Sequence, residues 1–477
     1  MLFTSSEFLL VFFPVVLIIN FISPRKIKNL WLLLASLFFY AWGEPDYVLI
    51  MLFSIVFNYL MALFIERQNS NITLKRILLV ISVSVNLGVL AIFKYMNFIV
   101  KTIHDLCPVT KESLIVPEIA LPIGISFFTF QALSYVIDVY RTIPAQKNIV
   151  DLGLYISFFP QLIAGPIVRY TTISNQITNR KVTTDMFSKG VIRFLEGFSK
   201  KIILANTFAI VADSTFSSNP NNSVCMAWLG AVCYMLQIYF DFSGYSDMAI
   251  GLGQMFGFQF LENFNYPYIS TTLTEFWRRW HISLGIWFRN YVYIPLGGSK
   301  VKTKRRLVLN LLFVWLLTGV WHGANWTFIV WGVLHGLVIV MEKLADIPGK
   351  IECCVLPVRS LYRFFTIMTI IMGLVLFRSD SLANAALYLK TMFGASNSVF
   401  ADGKFWFNLR EYSFFLITGI LCSAPFYKTI KNRLGSKNPK IMVLADSCYY
   451  IFQLCLFVIS FSFLVMKAHN PFIYFNF

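Results

Sequence analysis

Charge is what this sequence has least of. Of 477 residues only 13% are Asp, Glu, Lys or Arg, about half the ~25% usual in soluble domains. With 57% apolar residues and a mean hydropathy of +0.67, the chain lacks the polar coat of a soluble globule. That excludes a soluble multidomain enzyme and a disordered chain. A cysteine framework is missing too. Cys225, Cys233, Cys422, Cys448 and Cys455 lie in or beside apolar runs, and no pair has zinc-ligand spacing. The adjacent Cys353 and Cys354 read as two free thiols. No metal is expected. The N-terminus lacks the basic region and cleavage site of a removable signal peptide, so the run Phe8–Ile22 is expected to stay as a first membrane helix. No internal repeat occurs, and no soluble domain is expected to interrupt the apolar runs.

Those runs are what the sequence has in abundance. A spanning helix needs ~20 largely apolar residues. Segments that approach this are 7–23, 29–42, 47–65, 77–100, 121–140, 152–167, 191–211, 224–256, 276–296, 307–321, 326–344, 361–377, 412–427 and 448–466. Several are too short or too polar to cross alone. The expectation is an all-α polytopic membrane protein with about eleven transmembrane helices plus re-entrant or interfacial pieces. It is read as one integral-membrane domain over 1–477, with a polar loop at 379–410 that carries a short amphipathic helix near Leu382–Met392.

The 40 basic residues outnumber 23 acidic ones, a formal net charge of +17. In a membrane chain such an excess reads as cytoplasmic loop charge rather than a nucleic-acid footprint. The first connection holds Arg25, Lys26 and Lys28, the second only Glu44 and Asp46, and the third Arg67, Lys75 and Arg76. That alternation places the N-terminus outside. The run Lys300, Lys302, Lys304, Arg305, Arg306 then marks a cytoplasmic anchor.

Histidine is scarce, five in all, yet His281, His322 and His335 fall close together. His322 ends an apolar helix that starts near Arg306, so sixteen residues at ~1.5 Å each set it about 24 Å from the basic end. An ionisable group so deep in a bilayer is costly and marks a site. Neutral imidazole also suits acceptance of a hydroxyl proton. A core histidine bridging helices is the plain alternative. His281 lies in TEFWRRWHISLGIWFRNYVYIPLGG, where Glu275, Arg278, Arg279 and Arg289 stand among Trp277, Trp280 and Trp287. A simple span would not carry these charges, so the stretch reads as re-entrant or interfacial. Its arginines suit phosphate, but snorkelling arginines on an interfacial helix fit equally. His335 sits mid-helix and reads as structural, with the same cavity as a second possibility.

Two polar stretches interrupt apolar runs. In YFDFSGYSDMAIGLG, Asp241 and Asp247 are six residues apart, roughly 600° of helix, so they do not share a face. A broken helix beside Asp241 and Ser243 is expected there. In LPIGISFFTFQALSYVIDVYR a kinked helix with internal polar bonds is as good a reading as substrate contact.

Taken together, SSEFLLVFFPVVL, FYAWGEPDYVLIM, FFPQLIAGPIVRY, GFSKKIILAN, NFNYPYIS, FWRRWHISL, YIPLGGS, WHGANWTFIVWG and PFIYFNF resemble the membrane-bound O-acyltransferases, of the bacterial alginate O-acetyltransferase membrane-subunit type. The ordered set FWRRWHISL, YIPLGG and WHG is specific; each alone is weak. The resemblance implies a central tunnel, a catalytic core within 114–346 between N-terminal helices (1–113) and C-terminal helices (347–477), and catalytic His322 with His281 as second histidine. Trp321, Gly323, Asn325 and Trp280 would shape the site, with Asp241 and Ser243 along the tunnel. The family implies an acyl thioester donor, taken here as acetyl-CoA, with Arg278, Arg279, Lys300, Arg305 and Arg306 for its phosphates and no bound cofactor. It implies an extracytoplasmic acetyltransferase- or esterase-like partner protein and a polysaccharide acceptor: alginate, another exopolysaccharide or peptidoglycan. The expected place is the bacterial inner membrane. D-alanyl transfer to a wall polymer is the alternative. A transporter or flippase is the alternative of another class, against which stands the missing inverted repeat.

Overall fold

The computed structural model describes residues 1–107, 119–217, 221–435 and 439–466, so the closing PFIYFNF lies outside the described residues. Among the described residues the chain is helical and holds no strand. It forms two compact units: Met1–Val191 with Met248–Leu261, and Ile192–Asp247 with Glu262–Phe477.

The first unit opens with a π-helical turn, Phe8–Phe12, running into α1 (Phe13–Ile22). It continues with α2 (Lys28–Gly43), α3 (Val48–Arg67), α4 (Ile72–Leu106), α5 (Ile125–Tyr140), α6 (Ile149–Ser157), α7 (Phe159–Leu162) and α8 (Tyr170–Asn179). Buried Phe3, Phe8, Phe39 and Phe159 form an aromatic core. Across α3 and α4 the buried amides of Asn58 and Asn86 bond reciprocally at 3.1 and 2.8 Å, a polar tie of the kind that holds helices together where no water competes. The expected single helix over 152–167 is instead α6 and α7. Pro160 explains this: its ring and missing N–H suit the first turn of α7, not a helix interior. The turn before α5 needs Gly124, at φ 75°, because a Cβ there would meet the Leu162 carbonyl at 2.7 Å.

Two long elements pass from one unit to the other. The first is α9 (Thr184–Ser199), a π turn Lys200–Ala205 and α10 (Asn206–Ser217). The second is α11 (Val224–Met255), 32 residues without interruption. The break expected around Asp241 is absent. Lys201 ion-pairs with Asp241 at 2.6 Å, and Arg193 and Lys200 clasp Asp247 at 2.7 and 2.6 Å. With both carboxylates matched, the helix carries them without unwinding. Gly244 permits the approach, since a Cβ there would lie 2.8 Å from the Gly197 carbonyl.

The second unit adds α12 (Leu273–Arg279), α13 (Ile282–Phe288), α14 (Lys304–His322), α15 (Trp326–Leu344), α16 (Ile347–Ile351) and α17 (Leu356–Arg378). Then come α18 (Leu382–Met392), α19 (Gly403–Cys422), α20 (Phe426–Gly435) and α21 (Pro439–Val465). The polar loop is shorter than expected. Asp402 caps α19 by accepting from the Phe405 N–H at 2.8 Å, so helix resumes at Gly403.

Six helices among the described residues are long and apolar enough to cross a membrane: α3, α4, α11, α15, α17 and the Met442–Val465 part of α21. The chain is an integral, multi-pass membrane protein. Six is fewer than the eleven expected: α5 has only 16 residues, and α14 opens on Lys304, Arg305 and Arg306.

Candidate active site

The site lies in the second unit and begins with the α14–α15 hairpin. Thr303 caps α14 through the Arg306 N–H, and the helix runs to His322 as its last residue. Gly323 follows in extended conformation; a Cβ there would fall 2.1 Å from the Phe328 ring. Asn325 caps α15 by accepting from the Thr327 N–H at 3.2 Å, while its Nδ2 donates to the Asp380 carbonyl at 2.9 Å. The two helices pack on glycines: a Cβ on Gly319 would meet the Phe328 carbonyl at 2.5 Å, and one on Gly332 the Trp315 carbonyl at 2.6 Å. Small residues of this sort let membrane helices approach closely.

That hairpin buries His322 to 4% exposure. Its ring sits 4.9 Å from Trp331 of α15, 5.0 Å from Trp321 and 5.3 Å from Phe377 of α17, centroid to centroid. His335 lies one turn beyond Trp331. Its Nδ1 is 2.9 Å from the Trp331 carbonyl, an acceptor only, so Nδ1 carries the proton and Nε2 is left bare. Gly373 of α17 makes room for it; a Cβ there would be 2.5 Å from His335 Cε1. Trp277 of α12 and Trp280 just after it complete a cavity of about 20 Å³ lined with His322, Trp331, His335 and Phe377. That is room for one water.

Helix α12 is fixed at both ends. Thr272 accepts from the Glu275 N–H at 3.1 Å, and Glu275 returns a bond from the Thr271 N–H at 2.9 Å. Buried Glu342 of α15 reaches across to accept the Leu273 and Thr274 N–H groups at 2.8 Å each. At the far end the chain turns sharply at His281, whose φ of 46° is left-handed and strained for a non-glycine residue. An extended segment holds the corner: Asn265 N–H donates to the Arg279 carbonyl at 2.9 Å and Ile282 N–H to the Asn263 carbonyl at 3.0 Å. His281 is 1% exposed and stacks edge-on against Phe242 (4.6 Å) and Trp321 (6.0 Å). Trp321 thus stands between the two imidazoles. The stretch expected to be re-entrant or interfacial is built of two short helices and a π turn, Arg289–Tyr293.

Of the residues singled out from sequence, His322 and Trp280 share the cavity, and His281 and Trp321 adjoin it through ring contacts. Asn325 is occupied at both ends of its amide as a helix cap. Asp241 is paired with Lys201, and Ser243 is buried with no hydrogen-bond partner for its hydroxyl among the described residues. Arg279 is tied to Glu275 at 2.9 Å and to the Asn265 carbonyl at 3.2 Å. Arg278, Lys300, Arg305 and Arg306 are exposed. Sequence reasoning missed Asn263 and Glu342, named Trp277 only as part of the aromatic stretch, and kept the shared cavity as the second reading of His335, which lines it. It also passed over Arg193, Lys200 and Lys201; two carboxylates on an apolar helix were the signal that such bases had to exist. Among the described residues no group of three His, Cys, Asp or Glu side chains is placed to hold a metal.

Residues 34–346 match the sequence profile of the membrane-bound O-acyltransferase family. The chain belongs to that family. It is an acyltransferase. It is 44% identical, over 82% of its length and 75% of the relative's, to the "probable alginate O-acetylase AlgI" of Pseudomonas syringae pv. tomato. With the protein of the same description from Pseudomonas putida it shares 39% identity from end to end of both chains. A peptidoglycan O-acetyltransferase of Helicobacter pylori is 33% identical over the whole of this chain and 98% of its own.

Proposed function

We propose that this acyltransferase moves an acetyl group from acetyl-CoA on the cytoplasmic side of a bacterial inner membrane to a hydroxyl of an extracytoplasmic polysaccharide. An extracytoplasmic partner protein completes the transfer, and the N-terminus faces outward. The observation that carries this reading is the place of His322. Its buried imidazole ends α14, and eighteen helical steps put it about 27 Å from the exposed basic residues at Lys304. A base at that depth, far from the cationic end, suits a reaction whose donor and acceptor arrive from opposite faces. Relatives described as acting on alginate and on peptidoglycan support a polymeric acceptor.

In this reading the acceptor hydroxyl attacks the thioester carbonyl. The C–O bond forms, the C–S bond breaks, and the hydroxyl proton passes to the imidazole of His322 and on to the departing sulfur, which leaves as CoA thiol. Exposed Arg278, Lys300, Arg305 and Arg306 offer cations to the donor's phosphates, whereas Arg279 is already spent on Glu275. A cavity of about 20 Å³ is too small for an acetyl thioester, so donor entry has to move at least one of the rings of Trp277, Trp280, Trp331 or Phe377.

The test is thiol release. Purified protein given acetyl-CoA and an oligosaccharide acceptor should liberate CoA in a His322-dependent manner, and His322→Ala should not. Release by His322→Ala at the wild-type rate would refute the assignment. Dependence on a D-alanyl carrier protein in place of acetyl-CoA would move the donor to the alternative class.

A further inference from the structure

We propose that Asn263 fixes the tautomer of His281, so that His281 meets the reacting groups as a hydrogen-bond acceptor through Nε2 and not as a donor to the carbonyl oxygen. The proposal rests on the reading above that His281 belongs to the acyl-transfer site.

A backbone N–H fixes which way the Asn263 amide faces. Asn263 is 0% exposed, and its Oδ1 lies 3.1 Å from the Ser283 backbone nitrogen and 2.9 Å from the Ser283 hydroxyl. A backbone N–H can only donate, so the atom facing it must be the amide oxygen; flipping the amide would set an NH₂ against it. The same oxygen lies 3.3 Å from His281 Nδ1. An unprotonated Nδ1 would turn a lone pair on that oxygen, so Nδ1 carries the proton and donates. In neutral imidazole the other nitrogen is then bare. His281 Nε2 is buried and without a hydrogen-bond partner among the described residues. Leaving a buried acceptor open is costly, and together with the left-handed backbone at His281 it marks a position held for a donor. A hydroxyl acceptor supplies one. Asn263 is therefore a positioning residue: its carbonyl anchors the Ile282 N–H and its side chain orients the ring.

Groups packed on the ring are Phe242 of α11, Trp321 of α14 and Asn263 itself, none of which titrates between pH 5 and 9. The charged or titratable neighbours on those elements are Asp241, paired with Lys201, Glu262, paired with Arg193, Arg279, paired with Glu275, and His322.

Two experiments test this. In full-length protein carrying ¹⁵N-histidine in lipid nanodiscs, the resonances lost in His281→Gln should show a protonated Nδ1 and a bare Nε2 at neutral pH. A proton on Nε2 would overturn the proposal, and this readout needs no activity. In CoA release from acetyl-CoA, Asn263→Ala should lower kcat at every pH with little change in KM. Asn263→Asp, which keeps the oxygen but adds charge, should favour the imidazolium and move the acid limb of the pH profile up by about one unit or more. Superimposable wild-type and Asn263→Asp profiles would also overturn it. Undiminished turnover by His281→Ala would instead remove His281 from the site while leaving the tautomer result standing, so the two failures are distinct.

Discussion

Two buried regions of the second unit solve the same problem in opposite ways. Along α11, ionised groups are kept and matched: Asp241 with Lys201, both 2% exposed, and Asp247 with Arg193 and Lys200. Around the cavity between α12, α14 and α15, the titratable groups are imidazoles packed on indole and phenyl rings, and the buried carboxylate of Glu342 nearby is held by backbone N–H groups. Pairing holds a scaffold rigid, and a cation beside a carboxylate makes it a poor proton acceptor. Uncharged imidazole costs less to bury than an unpaired ion and can still take a proton. The difference separates what holds the helices from what does the transfer.

Substitutions that break this comparison should differ in kind as well as size. The largest effect belongs to His322→Ala, which should lower acyl transfer about 10²–10⁴-fold with an unchanged melting temperature; a loss of folding with it would put His322 in the scaffold. Next comes Lys201→Met, which strands Asp241 and should cost about 3–5 kcal/mol in stability. Thermal denaturation should show most of that recovered in Lys201→Met/Asp241→Leu, and an equally unstable double variant would mean the pair is not the reason for the loss. Gly332→Ala pushes a methyl onto the Trp315 carbonyl and should cost about 1–3 kcal/mol, read in the same assay. The smallest effect is expected at Asn325→Ala, about 1 kcal/mol from the lost cap, with activity within about tenfold of wild type. A collapse of turnover at full stability would place Asn325 in the chemistry.

The place of His322 at the end of α14, remote from the basic run, was legible in sequence because it needs only a basic run, an apolar helix and a rise per residue. Helix α15 was legible to the residue, since Asn325 writes its start. Other features depend on segments distant in the chain. The break expected at Asp241 was an inference from α11 alone, and the lysine that cancels its charge, Lys201, sits forty residues earlier on the π turn. His335 looked structural because the cavity it shares with His322 is closed by α12 and α17, distant in the chain, with Gly373 clearing the space. Asn263 gave no signal, because its partners lie 18 and 20 residues away across a left-handed corner. The bulk that fills the expected passage also follows from tertiary packing: Trp277, Trp331 and Phe377 come from three helices.

The most direct test of the central claim is the pH dependence of CoA release by purified wild-type protein and by His322→Ala. Uncharged His322 as the proton acceptor predicts a wild-type rate that falls about tenfold per pH unit below the imidazole's pKa, and a small pH-independent residue in the variant. A wild-type rate flat across that range, or a variant that keeps the wild-type rate and profile, would contradict it.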